Sequence, residues 1–222
     1  MFYETRNESR EYFKTLGLSY NPFKALVVPR PIGWISSVDA AGVTNLAPFS
    51  YFNAVSSDPP MVYFAANGTH QAEGGDKDTL RNVRETGEFV CNLATWALQK
   101  PMNDSSTPAP RAVDEFEACG VTKLPSRLVR PPRVAESPVH FECKLLQLVE
   151  LPADPKNGTR NTMAIGHVLG VHIDDALVVD GRVDILRAKP VARLGYLDFA
   201  VIERSFAMKR PTWPLQEQAI EV

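Results

Sequence analysis

The stretch TNLAPFSYFNAVSSDPPMVYFAANG, residues 44–68, mixes two chemistries. Phe49, Tyr51, Val55, Met61, Val62, Tyr63 and Phe64 are strand formers. Thr44, Asn45, Ser50, Asn53, Ser56 and Ser57 are threaded through the same run. Side-chain hydroxyls and amides at this density have two uses: they cap turns, or they hold a polar group against an apolar wall.

The familiar catalytic signatures are missing from the sequence. No G-x-G-x-x-G follows a strand pattern, and GGDKDT (74–79) lacks the spacing of a phosphate-binding P-loop. There is no G-x-S-x-G elbow and no H-E-x-x-H. The four histidines, His70, His140, His167 and His172, are scattered, and no metal site is read from them. His140 and His172 share strand faces with polar neighbours and are expected to be exposed. Cys91 alternates with Phe89 and Leu93, and Cys143 with Phe141 and Leu145, so both thiols should face inward as small apolar groups. Three cysteines at these spacings match no zinc or redox motif.

Composition narrows the partners. The chain has 222 residues, 44% hydrophobic and 23% charged, with a net charge of −2. This is ordinary globular composition, and one domain spanning 1–222 is expected, with an N-terminal helix within 1–20 and a tail at 203–222. No basic patch suggests a nucleic-acid partner. No apolar run is long enough to span a bilayer, and the charged MFYETRNESREYFKTLG start lacks the apolar core of a signal peptide. A soluble cytoplasmic protein is the expectation.

Period-2 patterns dominate the chain. Strands are expected at 24–28, 32–39, 44–55, 61–66, 88–94, 140–151 and 162–174, with turns at Asp39–Gly42 and Ser57–Pro60. KDTLRNVRETG (77–87) reads as a helix, capped by Asp78 or Thr79 and ended by Gly87. Residues 95–137 read as a long excursion with a short helix near 112–118, and 180–202 as a short helix followed by irregular apolar chain. Many antiparallel strands with short turns favour a closed barrel, which removes exposed edges.

These residues carry a resemblance to a known family. PRPIGWISSVDAAGVTNLAPFSYFNAVSSDPP (29–60), KDTLRNVRETGEFVCNL (77–93), GHVLGVHID (166–174) and RAKPVARLGYLDF (187–199) occur in the order of the flavin reductase-like family with the FMN-binding split barrel. The chain resembles the branch that holds flavoredoxin and the reductase component of nitrilotriacetate monooxygenase. The resemblance covers about Phe23 to Phe199. It implies a mainly β, antiparallel Greek-key split barrel with a few peripheral helices.

The resemblance also implies a site. Ser36, Ser37, Asn45, Ser50 and Ser56 would lie close to the flavin or its ribityl chain, with backbone groups around Asn45, Ala47 and Ser50 meeting the ring edge. Lys77 and Thr79 would bind the phosphate at a helix start, with Arg81 or Asn82 adding to it. Trp34 could stack on the ring or edge it. Each residue also has an ordinary structural use. Ser36 and Ser37 could merely precede a turn, Ser56 could belong to one, Lys77 could be a solvated surface lysine, and Trp34 could be core.

The function implied is an NAD(P)H-dependent flavin reductase that uses FMN rather than FAD. Hydride would pass from NAD(P)H as co-substrate, and reduced flavin would go to a monooxygenase or other electron acceptor. A homodimer is implied as well. The alternative is a flavoredoxin-like FMN electron carrier that does not use NAD(P)H directly.

Overall fold

The computed structural model describes residues 1–6, 9–71, 73–154 and 158–213. Its centre is a seven-stranded antiparallel sheet. The strands are β2 (Gly33–Val38), β3 (Thr44–Phe49), β4 (Phe52–Ser57), β5 (Pro60–Asn67), β6 (Glu88–Leu93), β9 (Val139–Leu151) and β10 (Asn161–Ile173), in the order β3-β2-β6-β9-β10-β5-β4. The two outer strands, β3 and β4, are consecutive in the chain and joined only by Ser50 and Tyr51. A sheet whose first and last strands are so tethered must curl until its ends meet. The result is the split barrel.

The barrel interior is filled by Ile35, Phe49, Val62, Phe64, Phe89, Cys91, Cys143, Ala164 and Val168. Phe64 stacks edge-on against Phe89 at 5.3 Å between centroids. Gly166 sits where a Cβ would lie 2.4 Å from the Phe89 ring, so the absent side chain makes the room that this ring fills. Burial pushes the Cys91 thiol well up, and adjacent Cys143 adds to it, so the Cys91 thiol stays protonated.

All six residues of β2 are buried, which requires cover on both faces. Ile35 points into the barrel, whereas Ile32 and Trp34 join a second core with Leu46, Leu98, Met102, Phe116 and Val134. That second core is built by the 95–137 excursion. It carries α4 (Gln99–Asp104), α5 (Glu115–Cys119) and the short hairpin β7 (Lys123–Leu124) with β8 (Arg133–Val134). Asp114 caps α5 by accepting from the Phe116 N–H at 3.0 Å, and this cap places the helix start at 115 rather than near 112.

Several expectations differ from the structure. Residues 24–28 are not a strand. Phe23–Leu26 form a short helix, α2, because Asn21 Oδ1 accepts the Phe23 N–H at 2.9 Å and Pro22 stands at the cap. Among the described residues no strand pairs with this segment, and its apolar side chains Phe23, Leu26 and Val27 stay exposed. The strand expected at 44–55 is two strands, broken at Ser50–Tyr51 where the chain crosses from one sheet edge to the other. The N-terminal helix is only α1, Arg10–Thr15. The chain around and after 180 is more regular than expected: β11 (Val178–Val179) pairs with β12 (Arg182–Val183), and β13 (Val191–Arg193) and β14 (Phe199–Val201) form a small sheet with β1 (Arg30–Pro31). Of the expected tail, residues 214–222 lie outside the described residues.

His140 is buried, not exposed. The β7–β8 hairpin covers its strand face, and its Nε2 donates to the Val134 carbonyl at 2.8 Å. His172 is half-buried against the buried Glu142, with Nε2 2.5 Å from Oε1.

Candidate functional site

The site is organised by α3, Asp78–Thr86. Leu80 and Val83 bury against the barrel, and Gly87, at φ 72°, ends the helix in the left-handed conformation that glycine adopts without strain. The N-cap is Lys77, and among the described residues no side chain caps the first turn. Asp78 and Thr79 are therefore not caps; both are engaged elsewhere. The uncapped start leaves amide N–H groups and the positive end of the helix dipole facing a cavity of about 390 Å³.

Lys77 and Lys24 both line that cavity, and among the described residues neither has an ion-pair partner. Burial lowers the Lys77 pKa, and the neighbouring Lys24 ammonium lowers it further. Two unpaired ammonium groups at an uncapped helix start call for an anion.

A hydrogen-bonded chain ties the helix to β3. Thr79 Oγ1 donates to Asn45 Oδ1 at 2.6 Å, and Asn82 Nδ2 donates to Ser37 Oγ at 3.2 Å. Asn45 Nδ2 and the Leu46 N–H both donate to Glu115 Oε2, each at 3.1 Å. Burial raises the Glu115 pKa, against the lowering effect of these donors.

The opposite wall is held by Asp78. Its carboxylate meets His70 Nε2 at 3.2 Å and is also bonded by Arg111. Arg111 further binds Glu73 at 2.8 Å and the Gly74 carbonyl at 2.8 Å, fastening the excursion to the loop before α3. His70 Nδ1 accepts the Glu73 N–H at 3.0 Å, so its proton resides on Nε2, which faces Asp78 and the Ala109 carbonyl. The floor between the walls is β3 and its exit: Ala47, Pro48, Phe49, Ser50 and Tyr51.

Of the residues singled out in the sequence, Asn45, Ala47, Ser50, Lys77 and Thr79 meet at this cavity. Others lie behind it. Ser37 and Asn82 are buried and brace Asn45 and each other. Ser36 is buried and donates to the Pro132 carbonyl at 2.5 Å. Trp34 is fully buried in the second core, and its Nε1 donates to Ser105 Oγ at 2.9 Å, so the indole does not line the cavity. Ser56 sits half-buried at an irregularity in the β4–β5 pairing, and Arg81 sits beside Asp78 at 3.7 Å; neither lines the cavity. Sequence reasoning missed Lys24, His70, Arg111 and Glu115. Lys24 was hidden by the misread strand. The other three are joined to α3 and β3 only through long-range packing.

A model of the flavin reductase like domain matches residues 25–185. The chain belongs to the flavin reductase-like domain family. An uncharacterized protein of Halalkalibacterium halodurans is 34% identical over 195 residues, covering 87% of this chain and 91% of that one. Among solved structures, nitrilotriacetate monooxygenase component B from Bacillus cereus superposes with a TM-score of 0.81 at 26% identity, covering 94% and 98% of the two chains. The 2-nitrobenzoate 2-nitroreductase of Pseudomonas fluorescens shares the fold, with a TM-score of 0.77 at 24% identity and 98% and 100% coverage. The family gives this protein a flavin-related oxidoreductase function. Among the described residues, no helix is long and apolar enough to cross a membrane.

Proposed function

We propose that this flavin reductase-like protein binds FMN and reduces it with NADH or NADPH, supplying reduced flavin to a partner protein. The observation that carries the reading is the pairing of Lys24 and Lys77 with the uncapped start of α3, at one end of a cavity floored by Ala47–Tyr51. A cation pair of this kind suits a terminal phosphate, which favours FMN. The residues fit the group. The flat stretch at Pro48 and Tyr51 suits a ring, and the polar groups of Asn45, Ser50 and Thr79 suit a hydroxylated chain and a ring edge.

The redox chemistry, acceptance of a hydride from NADH or NADPH and its delivery onward, is supplied by the flavin when bound. The residues of this chain would position and shield. Asn45 is fixed by Glu115 and Thr79, so it presents one orientation to the cavity. The Arg111 and His70 contacts hold the 105–109 segment as a wall against bulk water. This division of labour explains a site with no evident nucleophile or metal cluster among the described residues. Similarity to nitrilotriacetate monooxygenase component B supports an oxygenase as the acceptor. A homodimer completes the proposal.

The test is the visible spectrum of the purified protein, followed by anaerobic addition of NADH and then NADPH. Flavin bands that bleach with either nucleotide support the reductase. Bands that bleach only with dithionite overturn nucleotide dependence and leave an FMN electron carrier. A colourless protein that takes up no added FMN overturns the flavin reading.

A further inference from the structure

A second chamber of about 420 Å³ opens beside the first. The two share the wall formed by Lys24, Pro48, Ser50, Tyr51 and Ser106. The second chamber has a different charge character: Lys24, Arg30 and Arg193 line it, and among the described residues no Asp or Glu does.

Arg30 is buried at 8% exposure. Its guanidinium donates to the carbonyls of Lys24, Val27 and Leu194, its Nε has no hydrogen-bond partner, and no carboxylate pairs with it among the described residues. These carbonyl dipoles engage three of its N–H protons but leave its charge uncompensated. A buried full charge left that way is costly, and an adjacent anion relieves it.

Arg193 is half-buried and reaches the same chamber. Its guanidinium lies 4.4 Å from the centroid of the Phe199 ring and donates to the Tyr196 carbonyl. Tyr196 holds a left-handed φ of 53°, sparsely populated for a residue with a side chain. The acidic neighbour of Arg193, Asp198, neither lines the chamber nor forms an ion pair with it. Tyr51, Tyr196 and Phe199 add aromatic surface to this cationic lining.

We propose that the second chamber is the co-substrate site and takes a planar ring bearing an anionic group, with Arg193 as the residue that contacts the anion and buried Arg30 as its electrostatic support. This rests on the flavin reading of the first cavity and deepens it. The same chemistry is offered by two sources, the phosphates of a nicotinamide nucleotide or the carboxylate of an aromatic acid.

The experiment is calorimetric titration of the full-length, FMN-loaded protein with NADP⁺ and, separately, with benzoate. Neither probe can reduce the flavin, so binding is read apart from turnover. At least one probe should bind saturably, lose about tenfold or more in affinity in Arg193→Ala, regain part of it in Arg193→Lys, and bind more weakly as NaCl is raised. Nucleotide binding alone assigns the chamber to the hydride donor, and benzoate binding alone assigns it to an aromatic acid. If Arg193→Ala does not fold, the wild-type salt dependence and Arg193→Lys decide. Absence of saturable binding by both probes, or affinity indifferent to salt and to Arg193, overturns the proposal. Arg193-dependent benzoate binding in a protein that neither nucleotide bleaches keeps the chamber and removes the reductase. Bleaching by a nucleotide whose affinity ignores Arg193 does the reverse.

Discussion

Glu115 Oε2 accepts two hydrogen bonds at once, from Asn45 Nδ2 and from the Leu46 N–H, each at 3.1 Å. One carboxylate oxygen from the excursion thus fixes both the side chain and the backbone of the strand that floors the cavity. Glu115→Ala should leave two buried donors unpaired and cost about 1–3 kcal/mol of stability. Glu115→Gln keeps an accepting oxygen and should cost less. Because burial raises the folded-state pKa, the native state favours the protonated acid. Its stabilising contribution is full below the ordinary glutamate range and is lost as pH rises through the raised pKa. Glu115→Gln should remove that decline. Urea denaturation of wild type and both variants across acidic to neutral pH checks it, and superimposable pH profiles for wild type and Glu115→Gln would show the carboxylate to be unperturbed.

Lys77 tests the anion site. Its ammonium is half-buried, without an ion-pair partner among the described residues, and repelled by Lys24. Lys77→Ala should therefore leave the flavin-free protein as stable as wild type or slightly more stable. The same change should weaken FMN binding by about 1.5–3 kcal/mol, the worth of a charge-assisted contact. Thermal melts of the flavin-free protein, paired with FMN titrations, separate the two effects. Unchanged FMN affinity would remove Lys77 from the phosphate site.

Legibility in the sequence followed the range of the forces involved. The strands of the barrel, α3 and its glycine stop were readable because alternation and capping are local. Asn45, Ala47, Ser50, Lys77 and Thr79 stand in an ordered motif, and they line one cavity. What was illegible is non-local. Apolar Ala-Leu-Val-Val at 25–28 looks like a strand, yet among the described residues the segment meets no strand partner, and an Asn–Pro start turns it into helix. The buried state of Trp34 and His140 depends on the excursion folding back over strands far away in sequence. Polar residues behind the wall, such as Ser37 and Asn82, share the motif with those that line it, and sequence spacing does not separate the two shells.

His140 should set an acid limit on stability. Burial lowers its pKa from 6.5 to about 4, and the bond to the Val134 carbonyl only partly opposes this. The native state thus prefers neutral imidazole, and the unfolded chain protonates first as pH falls. The contribution is full above about 6.5 and is lost progressively toward about 4. The loss should be of the order of 2 kcal/mol, discounted for partial solvent screening. His140→Gln retains a donor for Val134 without titrating. Denaturation midpoints of wild type should fall relative to that variant between these pH values, and parallel profiles would assign the acid transition to other groups.

Gly166 and Phe89 test the packing that closes the barrel behind the cavity. A Cβ at 166 would lie 2.4 and 2.6 Å from two atoms of the Phe89 ring, closer than any real side-chain contact. The ring is fully buried and braced edge-on by Phe64, so it has no space into which to retreat. Gly166→Ala should therefore destabilise the fold by about 1–3 kcal/mol through overpacking. Phe89→Leu alone should also destabilise, by leaving a void. Combined, the two changes should cost less than the sum of the single costs, because the smaller side chain at 89 makes the room that the new methyl needs. A denaturation double-mutant cycle measures the coupling. Strict additivity would mean that the strain at Gly166 is relieved by backbone movement in β10 and not by the ring.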